Sequence, residues 1–261
     1  KNLRIGGSSE LYQKYDTRFG DLSAILIDNL PFYAEMKNIP NREISLMSDW
    51  NVKMNAIINA TKNEDVGSLT GVPSWMLVVL NKLLAETGKN YLDELWPNLE
   101  VFFHGGISFK PYAENYHLIT KKNLNYFELY NASEGFFGIQ DQLHNKDLLL
   151  LLDNGIFYEF IPMEEFGAEN QRFLTIGNVE VGKNYAMVIT TNGGLWRYII
   201  GDTVRFTSTN PHRIVVSGRT KHYINAFGEE LVIENAEEAL KRACEQTNSI
   251  VSEYSAGPVF M

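Results

Sequence analysis

The feature that most constrains the fold lies between residues 99 and 129. A short apolar run at residues 99–103 ends in His104, Gly105 and Gly106, and an amphipathic segment follows over residues 111–122. A second apolar run begins at Asn125. Strand, glycine turn, helix and strand in this order is typical of a βαβ unit, in which the two strands are parallel. The chain is therefore predicted to contain a sheet covered by helices.

The segment before this unit reads mostly helical. Apolar residues between positions 40 and 63 recur at helical spacing, and a second helix is predicted to begin at Pro73 and to end at Gly88. A last helix is predicted over residues 233–246, and a strand over residues 255–261.

The segment after the unit reads as β-rich. Its short apolar runs predict strands at residues 148–152, 156–161, 185–190, 203–208 and 213–216. A turn at residues 153–155 favours a hairpin between the first two of these strands.

Composition narrows the class of partner. A net charge of −9 over 261 residues repels a polyanionic backbone, so nucleic acid is not expected as a partner. No run of about 18 apolar residues is present, so no membrane span is expected. The chain is predicted to be a soluble, cytoplasmic protein.

Tyr130, Ser133 and Glu134 form a candidate binding turn after the strand at residues 125–129. Open α/β sheets bind ligands beyond the carboxyl ends of their parallel strands. Tyr130 offers a ring on which a purine stacks, and the Glu134 carboxylate suits magnesium. A loop with a half-buried tyrosine and a solvated glutamate explains the same residues equally well.

Asp202 is the strongest single candidate, because it follows Gly201 at the end of an apolar run. A carboxylate that accepts two hydroxyl hydrogens is the usual way to bind a ribose. Arg219 follows a further strand and offers a fixed fork of donors to phosphate or ribose oxygens. A turn aspartate and a surface arginine are the alternatives.

Gly105 and Gly106 are a weaker candidate pair. Without a Cβ, their backbone allows a planar group to approach closely, although a turn alone also explains them.

In this order, the stretches at residues 130–134, 196–202 and 218–219 resemble the nucleotide motifs of the acyl-adenylate-forming superfamily, which includes acyl-CoA synthetases and firefly luciferase. The closest resemblance is to its Gretchen Hagen family of auxin-responsive acyl acid amido synthetases, with a bacterial member expected here. Residues 195–206 and 218–230 are the most specific stretches, and the resemblance extends over essentially the whole chain.

The resemblance implies a nucleotide site and leaves the catalytic residues unassigned. It implies that Tyr130 stacks on adenine, that Ser133 lies near the phosphates and that Glu134 binds magnesium. Asp202 falls on the ribose position, and Lys221 on a hinge between two domains. The nucleotide-binding positions carried over in this way are Gly105, Gly106, Tyr130, Ser133, Glu134, Tyr198, Asp202, Arg219 and Lys221.

The implied fold is mixed α/β. Residues 1–220 would be the C-terminal part of a large adenylate-forming domain with helix-covered sheets and a β-rich subdomain. Residues 221–261 would contain the hinge and the start of a small α+β C-terminal domain. The Ser/Thr/Gly-rich phosphate loop of the superfamily is not found, so the chain is expected to be a fragment of a longer protein and inactive by itself. Ile199 and Ile200 stand where the family often has an arginine.

The resemblance implies an ATP-dependent ligase that uses Mg²⁺. It would convert a small carboxylic acid into an acyl-AMP and transfer the acyl group to the amine of an amino acid. An acyl-CoA ligase is the first alternative, because it shares every motif seen here. A nucleotide-binding module without catalysis is the second, and the missing phosphate loop and Ile199 favour it.

Overall fold

The computed structural model describes residues 1–6, 11–220, 223–226, 229–247, 249 and 251. The chain divides into two compact units, Lys1–Phe127 and Glu128–Met261. Among the described residues, no helix is both long and apolar enough to cross a membrane.

The first unit combines short strands with helices. Its strands are β1 (Asn2–Arg4), β2 (Leu11–Lys14), β3 (Thr17–Gly20), β4 (Asn38–Ile39), β5 (Ser68–Gly71) and β6 (Val101–Gly105). Its helices are α1 (Leu22–Asp28), α2 (Phe32–Glu35), α3 (Arg42–Ser45), α4 (Trp50–Thr61), α5 (Pro73–Thr87) and α6 (Ala113–Ile119).

The strands β6, β5, β1 and β4 lie side by side in that order, and all three pairings are parallel. These pairings do not include the strand that begins at Asn125, so the βαβ unit predicted over residues 99–129 stays a prediction. From β1 the chain first adds β4 on one side and later β5 on the other. The direction in which successive strands are added to the sheet therefore reverses between β1 and β5. Open parallel sheets form a crevice at such a reversal.

Helix α5 forms where the sequence predicts it. Pro73 occupies the first turn, and Gly88 ends the helix in the left-handed conformation at φ 65°. The helix predicted within residues 40–63 is instead the two helices α3 and α4. Asp49 begins α4 by accepting a hydrogen bond from the Val52 amide, because a side-chain cap favours a new helix start.

The second unit, from Glu128 on, is built on antiparallel strands. They are β7 (Asn125–Ala132), β8 (Gly135–Ile139), β9 (Leu148–Leu150), β10 (Ile156–Pro162), β11 (Leu174–Thr175), β12 (Asn184–Thr191), β13 (Tyr198–Thr209), β14 (His212–Arg219), β15 (Tyr223–Ala226) and β16 (Glu229–Val232). The sheet order is β11-β10-β12-β13-β14-β9-β8-β7, while β15 and β16 pair with each other. Helix α7 (Ile233–Thr247) confirms the last predicted helix, and the strand predicted at residues 255–261 lies outside the described residues.

The hairpin predicted between residues 148–152 and 156–161 is wrong. The chain does turn near Gly155, which has a φ of 71°, but β9 pairs with β8 and β14, and β10 pairs with β11 and β12. Both edges of β9 are already occupied, so the turn leads from one part of the sheet to another. A local turn signal does not specify which strands pair.

Aromatic residues dominate the main core of this unit. Phe137, Phe160, Tyr185 and Phe206 are fully buried in one cluster. Phe206 packs edge-on against Phe160 and Tyr185, with ring centroids 5.0 and 5.8 Å away. These four residues belong to β8, β10, β12 and β13, so the cluster joins the central strands of the sheet.

Candidate nucleotide site

Gly105 and Gly106 lie at the carboxyl end of β6 in the first unit. Gly105 ends the strand, and Gly106 is exposed with a φ of 85°, a left-handed conformation that favours glycine. A Cβ on Gly106 would lie 3.5 Å from Val72 Cγ2. The two glycines therefore form the open strand end that the sequence predicts.

His104, directly before this pair, is buried. Its ring stacks on Phe109 with centroids 4.5 Å apart, and its Nδ1 has no hydrogen-bond partner among the described residues. Burial lowers the pKa of His104 to about 4, so the ring is neutral at physiological pH.

The turn at Ser133 and Glu134 differs from the prediction in its surroundings. These two residues join β7 to β8, and the two strands are antiparallel. A connection of two residues returns the chain antiparallel, whereas parallel strands need a long crossover. Tyr130 accordingly lies inside β7 and not in the turn after a parallel strand. Its ring packs against Phe137, with centroids 5.1 Å apart.

Asp202 lies on a bulge in β13. Ala186 of β12 pairs with Thr203 and Val188 pairs with Ile199, so Met187 alone faces the three residues from Ile200 to Asp202. Gly201 permits this bulge with a φ of 92°. Bulges re-aim side chains and are common beside active sites.

The opposite side of β13 fixes the direction of Asp202. Asp202 pairs with Arg219 on β14, and Thr203 pairs with Gly218. The Thr220 amide also donates to the Gly201 carbonyl at 2.7 Å. Pairing with β14 therefore holds the backbone around Asp202, while the bulge interrupts its pairing with β12.

Tyr130, Asp202 and Arg219 meet in one hydrogen-bonded cluster. The Tyr130 hydroxyl donates to Asp202 Oδ2 at 2.9 Å, and Arg219 Nε donates to Asp202 Oδ1 at 2.9 Å. Tyr130 and Asp202 are each only 7% exposed, whereas the Arg219 side chain is 55% exposed. A buried carboxylate is therefore oriented by a buried phenol and by a solvent-facing cation.

Electrostatics make Tyr130 a donor. Burial raises the pKa of Tyr130 well above its usual value, and the negative charge of Asp202 raises it further. The hydroxyl therefore stays protonated at neutral pH and Asp202 acts as the acceptor. This pairing was not predicted from the sequence, although a buried tyrosine hydroxyl generally needs a partner.

Tyr158 of β10 is the residue near this cluster that the sequence did not identify. It is 4% exposed, and its hydroxyl has no hydrogen-bond partner among the described residues. Burial raises the pKa of Tyr158, and its charge interaction also contributes to the raised pKa of Tyr130.

The remaining predicted residues are spread along the same strands. Tyr198 is 41% exposed and Ile199 is 38% exposed, both in β13 before the bulge. Glu134 is half-buried. In the part of the chain that the structure describes, no three His, Cys, Asp or Glu side chains gather as a metal site. Lys221 lies outside the described residues.

Two models of one protein family match the chain. The GH3 family N-terminal domain matches residues 9–124, and the GH3 family central domain matches residues 149–219. The chain belongs to the GH3 family. The family named from the motifs is therefore confirmed.

Curated plant proteins are similar to this GH3 chain. Indole-3-acetic acid-amido synthetase GH3.4 of Arabidopsis thaliana is 30% identical over 166 residues, which are 59% of this chain and 26% of that protein. Indole-3-acetic acid-amido synthetase GH3.3 of the same plant is 32% identical over 123 residues, 44% of this chain and 20% of that protein. The matched regions thus cover about a quarter or less of these relatives.

Solved structures share the fold of the GH3 chain. GH3.15 acyl acid amido synthetase superposes with a TM-score of 0.71 at 16% identity, over 94% of this chain and 52% of that one. A 2-hydroxyisobutyryl-CoA ligase in the postadenylation state, in complex with R3-HIB-AMP, gives 0.54 at 16% identity, over 73% and 40%. The mixed α/β fold is therefore confirmed, and the chain spans about half the length of the GH3.15 structure.

Proposed function

We propose that this protein is an ATP-dependent acyl acid amido synthetase. The observation that carries the proposal is the cluster of Tyr130, Asp202 and Arg219 in a chain of the GH3 family. In the proposed reaction a carboxylate attacks the α-phosphorus of ATP and pyrophosphate leaves. The amine of an amino acid then attacks the acyl carbon, and AMP leaves as the amide forms.

In this proposal Asp202 accepts hydrogen bonds from the ribose hydroxyls. A carboxylate has about four lone-pair positions, and Tyr130 and Arg219 occupy two of them, so acceptor capacity remains. While Arg219 Nε binds Asp202, the other donors of its guanidinium are proposed to reach phosphate, because 55% of the side chain is exposed.

The other predicted positions remain part of the proposal. Gly105 and Gly106 are proposed adenine-binding positions of the first unit. In the second unit, Ser133 is proposed to lie near the phosphates, and Tyr198 is a further proposed nucleotide-binding position. Residues 1–220 belong to the large domain, and residues 221–261 begin a small domain that rotates about Lys221. The reaction is assigned to the cytoplasm, where ATP and free amino acids are present.

In this proposal the protein supplies one carboxylate ligand to magnesium. Glu134 is half-buried in the turn between β7 and β8, and its carboxylate is proposed as one ligand. Mg²⁺ is commonly held by one or two carboxylates together with substrate phosphates. When bound, the ion would neutralise charge on the departing pyrophosphate.

The test is ATP–pyrophosphate exchange by the full-length protein with a panel of carboxylic acids that includes indole-3-acetic acid. We expect exchange with at least one acid, and release of AMP that depends on an added amino acid. Asp202→Asn should abolish both, while the exposed-pair variant Arg172→Ala should leave both unchanged. Release that depends only on coenzyme A would favour the ligase alternative, and no exchange with any acid would favour the binding module.

A further inference from the structure

Arg197, directly before β13, has an unusual backbone conformation. Its φ is 46°, in the left-handed region that residues other than glycine seldom adopt. Such conformations persist only where the surrounding contacts enforce them, and they cluster at functional sites. The contacts that hold Arg197 in this conformation are therefore candidates for a functional role.

Three groups of the second unit hold Arg197. Its Nε and Nη2 donate to the two carboxylate oxygens of Glu159 at 3.0 and 2.9 Å, which is a bidentate pair. Its guanidinium carbon lies 4.0 Å from the ring centroid of Phe173. Its amide donates to Thr190 Oγ1 at 3.0 Å. Arg197 is thus tied to β10, to β12 and to the residue before β11.

These contacts, here called the Arg197 clamp, lie directly before β13, the strand that carries Asp202. Tyr198 and Ile199 follow Arg197 and pair with Ile189 and Val188 of β12, and the bulge begins at the next residue. Because the side chains of a strand alternate between faces, a slip of one residue before the bulge would turn the following side chains to the opposite face. The direction of Asp202 therefore depends on the register set before the bulge.

We infer that Arg197, clamped by Glu159 and Phe173, is a positioning residue for Asp202 and thereby for the ribose of ATP. The inference rests on the proposed function. Arg197 does not touch the ligand itself. It fixes the register of β13 before the bulge, so that the Asp202 carboxylate stays aligned with Tyr130 and Arg219.

If Arg197 only stabilised the fold, its removal would change stability without a specific effect on ATP binding. The Arg197 side chain is 57% exposed, and exposed ion pairs contribute little to stability. The same unit offers a matched comparison, since Arg172 also makes a two-pronged pair, with Glu165, but lies outside β13. Removing either arginine should therefore cost similar stability, and only Arg197 should affect the site.

The experiment compares Arg197→Ala, Arg197→Gly and Arg172→Ala in the full-length protein. Both Arg197 variants should raise the KM for ATP about tenfold, with the KM for the carboxylic acid unchanged, because a small displacement of a binding group weakens the contacts it makes. The glycine variant adopts a φ of 46° without penalty. Because glycine relieves the backbone strain, this variant tests the loss of the side-chain contacts alone. An unchanged KM for ATP, or equal changes in both KM values, would overturn the inference.

Hydrogen exchange provides a readout that needs no activity. In both Arg197 variants the amides of residues 200–203 should exchange about tenfold faster, while those of residues 205–209 should not change. Unchanged exchange at residues 200–203 would overturn the inference whatever the enzyme does. Failure of the proposed function alone would instead appear as a wild-type protein without ATP-dependent activity but with faster exchange in the variants.

Discussion

The sheet edge of the first unit and the bulged strands of the second unit both carry predicted nucleotide positions, but they are built differently. At the end of β5, Gly71 lies so close to Ile5 that a Cβ on it would be 2.7 Å from the Ile5 carbonyl oxygen. In the second unit, hydrogen bonds from two side chains orient Asp202. The first region thus depends on close backbone packing, and the second on polar contacts between side chains.

The sharpest test of packing in the first region is Gly71→Ala. The added methyl group meets the Ile5 backbone, which does not move aside without disturbing β1. We expect a loss of about 3 kcal/mol in the free energy of unfolding, measured by urea denaturation. Gly177→Ala is the control, because no heavy atom lies within 4 Å of its added Cβ. Equal effects of the two substitutions would contradict the packing account.

The second prediction concerns pH and the buried His104. The folded-state pKa of about 4 lies below the ordinary value of 6.5, so the unfolded chain binds a proton that the folded protein rejects between these pH values. The stability associated with neutral His104 is complete above pH 6.5 and falls as the pH drops to about 4, by about 3 kcal/mol in total.

Denaturant unfolding of the wild type and of His104→Phe at pH 7 and pH 4.5 measures this dependence. Phenylalanine fits a site lined by Phe102 and Phe109 and does not titrate. The variant should therefore lose less stability at acid pH than the wild type. The same loss in both proteins would show that His104 is not the group responsible.

In the second region, the matched pair Tyr130→Phe and Tyr158→Phe tests the polar contacts. Both substitutions remove one hydroxyl from a buried ring. The Tyr130 hydroxyl donates to Asp202, whereas the Tyr158 hydroxyl has no partner in the part of the chain that the structure describes. Tyr130→Phe should cost about 1 to 2 kcal/mol, while Tyr158→Phe should be neutral or stabilising. Thermal unfolding of the two variants measures the difference, and a reversed order would remove the basis for the polar account.

The sequence predicted those parts of the molecule that depend on local signals. Pro73 and Gly88 delimit α5, and Gly105 and Gly106 mark the end of β6. All strands before β6, which are β1 to β5, were missed, because runs of two to four residues carry too little periodicity to distinguish strand from loop.

The candidate site was predicted by residue type and not by geometry. Tyr130, Asp202 and Arg219 were identified separately, but 72 residues separate Tyr130 from Asp202. The contact between them depends on the bulge at Gly201 and on strand pairing over long distances, for which the sequence carries no local signal. For the same reason the predicted hairpin between residues 148–152 and 156–161 failed.

The measurement that tests the central claim most directly is AMP binding by isothermal titration calorimetry. The 261-residue chain is compared with Asp202→Asn, and Arg172→Ala serves as the control. Replacing the carboxylate weakens its hydrogen bonds to ligand hydroxyls, so we expect AMP to bind about 30-fold more weakly to Asp202→Asn. Arg172→Ala should bind AMP as the wild type does. Equal affinity of the wild type and Asp202→Asn for AMP would contradict the assignment of the ribose to Asp202.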